Sequence, residues 1–130
     1  MIRGDDPISN FMTPSPHSIG IDQSIASASR RMQAFGIRHL PVLEGGVLRG
    51  VLSERDIALV EAMEPLDPER VTVEEAMTPE PYAVQPTTPL RDVVRTMAER
   101  KYGSAVIVEY DRPVGVFTTI DALRLLERML

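Results

Sequence analysis

Two hydroxyl–carboxylate pairs at one spacing are the residues of this chain best suited to chemistry. They are Ser53-x-x-Asp56, within GVLSERD from Gly50 to Asp56, and Thr118-x-x-Asp121, within GVFTTID from Gly115 to Asp121. A hydroxyl at the start of a helix and an acid three residues on can bond reciprocally to backbone N–H groups, forming a capping box. Capping accounts for both pairs without any ligand, although Glu or Gln is the usual third partner and both copies use the shorter Asp. The second reading is binding. A helix N-terminus offers free N–H groups to a phosphate. A carboxylate one turn in can accept from two vicinal hydroxyls, as an acid does for ribose in dinucleotide folds. The glycine in each preceding strand lets another group approach the backbone closely. Hydroxyl for phosphate and carboxylate for ribose is nucleotide chemistry.

Little else in the chain suggests catalysis. There is no cysteine, hence no disulfide, thiol nucleophile or cysteine-bound metal. The two histidines, His17 and His39, lack acidic partners at ligand spacing, so no metal site is expected beyond magnesium carried in by a nucleotide. No G-x-S-x-G elbow flags a serine. The expectation is a protein that is not an enzyme and requires no cofactor. A net charge of −5 argues against nucleic acid as a partner, because such binding needs a basic surface. Arg30, Arg31, Arg38, Arg49 and Arg55 nevertheless outnumber Glu44 and Glu54 in their region, which suits either a mixed-charge surface or a local cleft for a small anion. The opening Met1–Pro7 stretch lacks an apolar signal region. Apolar runs such as Ala105–Val108 fall far short of the roughly 18 residues a membrane span needs, so a cytoplasmic location is expected.

The elements that must position these pairs are written twice. An offset of 65 residues (50 to 115) aligns 11–59 with 76–124 without a gap. Met12-Thr13-Pro14 falls on Met77-Thr78-Pro79, Pro16 on Pro81, Arg30 on Arg95, Met32 on Met97 and Glu44 on Glu109. Each copy opens with a short extended piece, His17–Ile19 or Tyr82–Val84. A helix follows, with apolar residues at Ile25, Ala28 and Met32 or at Leu90, Val93 and Met97, the stripe of a half-buried helix. Two strands joined by a turn come next, around Glu44-Gly45-Gly46 or Tyr110-Asp111-Arg112, and a closing helix starts at Ser53 or Thr118. The fold class is α/β (α+β), with two β-α-β-β-α units. About 50 residues cannot bury a sheet alone, so the two are expected to pack sheet to sheet about a pseudo-twofold axis. The expected boundaries are 8–63 for the first motif, 64–70 for a proline-bearing linker and 71–130 for the second.

The doubled MTP, the LPV-type strand and the repeated G-h-x-[S/T]-x-x-D phrase resemble a pair of CBS motifs, the regulatory unit called a Bateman module. The resemblance covers nearly the whole chain, from about Ile8 to Leu130. It implies two clefts between the motifs that take adenosine-containing ligands such as AMP, ADP, ATP or S-adenosylmethionine. It assigns ribose to Asp56 and Asp121 and phosphate to Ser53 and Thr118. The residues just before the middle strand, Ile37, Arg38 and His39 in one copy and Tyr102, Gly103 and Ser104 in the other, join these sites by the same match. Ser18 and Ala83 would line the base through main-chain groups. Arg38 offers the planar fork of donors that suits phosphate. Arg55 aligns with Ile120 and Arg38 with Gly103, so the two sites are expected to be chemically unequal.

The last helix carries Ile120, Leu123, Leu125, Leu126, Met129 and Leu130, more apolar residues than a surface stripe needs. Either the stripe is wide and buried, or part of it faces a second chain; the resemblance implies a homodimer. Two functions remain. One is a stand-alone regulatory module that binds adenosine nucleotides and signals through conformation or an effector protein. The other is a constitutive dimeric interaction module with vestigial clefts.

Overall fold

The computed structural model describes residues 1–14, 17–63 and 66–130. Pro16 of the Pro16/Pro81 match, and Glu64 and Pro65 of the expected linker, lie outside the described residues. In the first copy the elements are β1 (Thr13–Pro14), β2 (Ile19–Gly20), α1 (Ile25–Phe35), β3 (His39–Glu44), β4 (Val47–Ser53) and α2 (Glu54–Glu61). In the second they are α3 (Val73–Ala76), β5 (Thr78–Pro79), β6 (Ala83–Val84), α4 (Leu90–Arg100), β7 (Ser104–Glu109), β8 (Arg112–Thr118) and α5 (Thr119–Met129). A single 3-10 turn, Ile8–Asn10, precedes β1 at the position matching α3. The β-α-β-β-α order is present twice, as the sequence repeat requires.

The chain divides into two compact units that cut across the repeats: His17–Pro81 forms one, and Met1–Pro16 with Tyr82–Leu130 forms the other. Each holds one four-stranded sheet, in the order β2-β3-β4-β5 or β1-β8-β7-β6. The parallel pairs are β2/β3 and β6/β7, and the remaining neighbours are antiparallel. In both sheets the last strand is an MTP segment from the other repeat. Thr13 and Pro14 pair with Val116 and Gly115, and Thr78 and Pro79 pair with Val51 and Gly50.

The glycines of the two GV phrases permit this pairing. A Cβ on Gly50 would lie 2.6 Å from Met77 Sδ and 2.7 Å from the Thr78 carbonyl oxygen, and one on Gly115 would lie 2.2 Å from Met12 Sδ. The group that approaches the backbone here is a methionine-led edge strand. Met12 and Met77 then pack against the cores of their units, which fits their adaptable side chains.

The leading segments also cap the first helix of the opposite repeat. On α1, Ser24 accepts from Ser27 N at 3.0 Å, while Ile25 N and Ala26 N donate to the carbonyls of Val71 and Pro68. On α4 the N-cap is Pro89, without a side-chain bond, and Leu90 N and Arg91 N donate to the carbonyls of Asp6 and Gly4, both at 2.9 Å. Orphan helix donors need such partners, so residues 66–70 do structural work for α1. Ile8 and Val73 anchor the two segments and are fully buried. The helix stripes point inward as expected, with Ile25, Ala28 and Met32 buried on α1 and Leu90, Val93 and Met97 on α4. On α5 the buried residue is Leu125, whereas Ile120, Leu123, Leu126 and Met129 are exposed.

Both hairpins turn on two residues with positive φ: Gly45 and Gly46 at 59° and 83°, Tyr110 and Asp111 at 52° and 64°. Glycine adopts this conformation freely and Asp tolerates it, whereas Tyr adopts it against its preference.

Candidate functional site

Each hairpin returns its two ends to one place. Register pairs His39 with Ser53 and Ser104 with Thr118. Beyond the strands, Glu54 N donates to the Arg38 carbonyl at 2.9 Å and Thr119 N to the Gly103 carbonyl at 3.1 Å. The structure therefore brings Ile37, Arg38 and His39 beside Ser53, Arg55 and Asp56, and Tyr102 and Gly103 beside Thr118 and Asp121. Ser18 and Ala83 stand on the neighbouring parallel strand or just before it, where Ile19 lies opposite Val42 and Ala83 opposite Val106. They lie at an edge of their sheets, about two residues further along the strands than the His39/Ser53 and Ser104/Thr118 pairs.

Both capping boxes are complete. Ser53 Oγ accepts from Asp56 N at 3.1 Å, and Ser53 N donates to Asp56 Oδ2 at 2.9 Å. Thr118 Oγ1 accepts from Asp121 N at 3.3 Å, and Thr118 N donates to Asp121 Oδ2 at 2.8 Å. The two boxes differ in the hydroxyl proton. Thr118 Oγ1 donates to Asp121 Oδ2 at 3.1 Å, whereas the Ser53 hydroxyl donates no bond among the described residues. In both boxes the cap uses Oδ2, and no hydrogen bond among the described residues falls on Oδ1. A cap of this kind holds the carboxylate still without saturating it, since an ionised carboxylate has about four acceptor sites.

Two side chains that the sequence marks only as part of a local charge cluster touch the candidate residues. Arg31 donates from its guanidinium to the Ser18 carbonyl, one of the main-chain groups assigned to base recognition. Glu54 places Oε2 3.6 Å from Arg38 Nε, so the candidate phosphate ligand already faces an anion. The matched positions in the other copy are Gly103 and Thr119, where Thr119 Oγ1 donates to the Gly103 carbonyl at 3.1 Å. Aromatic contacts differ as well: His17 stacks on Phe35 with centroids 3.6 Å apart, and Tyr82 tilts against Tyr102 at 5.3 Å. Within the first unit an open cleft of about 580 Å³ runs between α1 and α2, lined by Met32, Ile37, Arg38, Glu54, Ile57 and Glu61 among others, and not by Ser53 or Asp56. No group of three or more His, Cys, Asp or Glu among the described residues is placed to hold a metal ion. No helix among them is long and apolar enough to cross a membrane.

The family model for the CBS domain matches twice, over residues 8–62 and 73–128. The chain belongs to the CBS-domain family. Among curated relatives, the CBS domain-containing protein YhcV of Bacillus subtilis is 30% identical over 114 residues, which is 88% of this chain and 81% of that protein. Among solved structures, a conserved protein from Pyrococcus horikoshii superposes with a TM-score of 0.87 at 30% identity, covering 99% of this chain and 98% of the other. The CBS domain pair of protein MJ0100, crystallised with 5′-methylthioadenosine and S-adenosyl-L-methionine, superposes with a TM-score of 0.87 at 25% identity, over 95% of this chain and 98% of the other. The doubled β-α-β-β-α architecture is thus that of a CBS pair.

Proposed function

We propose that this CBS pair is a regulatory module that binds adenosine-containing ligands at the hairpin ends of its units. Asp56 and Asp121 accept from ribose hydroxyls, and Ser53 and Thr118 meet phosphate at the N-termini of α2 and α5. The observation that carries this reading is the half-used carboxylate: the capping box orients Asp56 and Asp121 through Oδ2 and leaves Oδ1 unbonded among the described residues. Capping and ligand binding are compatible uses of one side chain. MJ0100, with its two adenosine derivatives, supports the ligand class.

The two sites are unequal. Ser53 has a hydroxyl proton to give, with Arg38 and Arg55 nearby, whereas Thr118 spends its proton on Asp121 and is matched with Gly103 and Ile120. Residues of the first copy suit a phosphate-bearing nucleotide, and those of the second a less charged adenosine ligand. Equal affinities at both sites in a calorimetric titration contradict that division. A ligand changes the output, through conformation or an effector protein, by no more than its differential affinity for the two states.

The exposed Ile120, Leu123, Leu126 and Met129 on α5 support a homodimer through that face. A monomeric mass at micromolar concentration contradicts it. The same exposed face, with both hydroxyl–acid pairs satisfied as caps, favours the alternative of a constitutive interaction module. A thermal-shift panel of AMP, ADP, ATP, S-adenosylmethionine, NAD and GTP separates the two. A ligand at 100 times its dissociation constant adds about 2.7 kcal/mol, which is on the order of 5–15 °C in melting temperature for a chain of this size. Flat melting curves with every adenosine ligand leave the interaction module.

A further inference from the structure

Arg38 and Glu54 are held side by side by the backbone before their side chains meet. The Glu54 N–H bonds the Arg38 carbonyl at 2.9 Å, and Arg38 Nε then lies 3.6 Å from Glu54 Oε2. Both side chains are largely exposed, at 74% and 68%. An exposed pair of this kind is weak and exchangeable, and a guanidinium binds phosphate by the same fork it offers a carboxylate. The other copy has neither charge at the matched positions, Gly103 and Thr119, so the carboxylate accompanies the arginine it faces. Arg55, one residue on, has no ion-pair partner among the described residues. Phosphate attraction therefore survives at this end of the hairpin, with Arg38 as the contested part of it.

We propose that Glu54 is a specificity-determining residue: it occupies Arg38 in the ligand-free protein and so lessens the preference of this copy for phosphate-bearing adenosine ligands over phosphate-free ones. This rests on the ligand class proposed above. A phosphate must displace the carboxylate from Arg38, whereas a nucleoside leaves the pair intact. Glu54→Gln frees Arg38 without changing the shape of the side chain.

The test is calorimetric titration of AMP and of adenosine into the wild type, Glu54→Gln, Arg38→Gln, the double variant and Glu61→Gln. Glu61 lies seven residues along the same helix, about 10 Å away, and its substitution removes the same formal charge. We expect Glu54→Gln to tighten AMP by about two- to five-fold and to leave adenosine unchanged. Glu61→Gln changes neither, and the gain is lost once Arg38 is also Gln. Equal tightening of both ligands, an equal gain from Glu61→Gln, or a gain that persists without Arg38 overturns the proposal. A wild type that binds AMP while Glu54→Gln changes nothing overturns the role of Glu54 alone. A wild type that binds neither ligand overturns the adenosine reading and this role with it.

Discussion

At Asp56 and Asp121 one carboxylate oxygen is committed to the backbone and the other is not, and the two uses have different energetic signatures. Removing a capping partner costs about 1 kcal/mol of stability. Asp56→Ala and Asp121→Ala are each expected to lower the free energy of chemical denaturation by about that amount, and an unchanged denaturation curve contradicts the box as a stabilising contact. The S/T-x-x-D spacing made both boxes legible in the sequence, because the bonds are local. Glu54 was not legible in the same way. Its partner Arg38 is brought to it by the β3/β4 register, and no local pattern links an exposed Glu and Arg across a hairpin. Gly50 and Gly115 were legible as points of close approach, but the approaching groups are Met77 and Met12, which only the edge-strand pairing reveals.

Among the elements, the long helices and the two hairpins could be read from periodicity, since Ile25/Ala28/Met32 and Leu90/Val93/Met97 repeat at helical spacing and face the cores. The edge strands Thr13–Pro14 and Thr78–Pro79 could not, because two residues cannot display an alternation. Their attachment points differ in tolerance. A methyl group at residue 50 meets the Thr78 carbonyl, which is backbone, whereas at residue 115 the nearest atoms belong to the flexible Met12 side chain. Gly50→Ala is expected to cost about 1–3 kcal/mol, as overpacking does, and Gly115→Ala less. Equal losses in thermal or urea denaturation contradict this ranking. The Tyr110-Asp111 turn carries a weaker hairpin signal than Gly45-Gly46, because Tyr does not favour positive φ.

On the scale of the whole chain, the repeat predicted two units, and the structure adds that each is completed by the leading segment of the other repeat. Ile8 belongs to the core built with Val84, Leu90, Val93 and Met97, and Val73 to the core built with Ile25, Ala28 and Met32. The signal for this exchange was faint in the sequence, since an isolated apolar residue such as Ile8 carries no periodicity. Ile8→Ala is expected to cost about 2–5 kcal/mol. Hydrogen exchange should then show greater loss of protection in α4 and β7 than in α1 and β3. The opposite pattern places residues 1–14 with the first repeat and contradicts the exchange.

The ligand role proposed for Asp56 and Asp121 is separable from their capping role by one substitution at each. Glu is the usual third partner of a capping box, so Asp56→Glu and Asp121→Glu keep the cap while moving the carboxylate by one methylene. The decisive measurement is a titration of AMP and S-adenosylmethionine into the wild type and both Glu variants, alongside their denaturation curves. If the aspartates bind ligand, stabilities stay within about 0.5 kcal/mol of wild type, and at least one ligand is weakened on the order of ten-fold, about 1.4 kcal/mol, in one of the two variants. Wild-type affinity for both ligands in both variants contradicts that role, and leaves the two aspartates as helix caps.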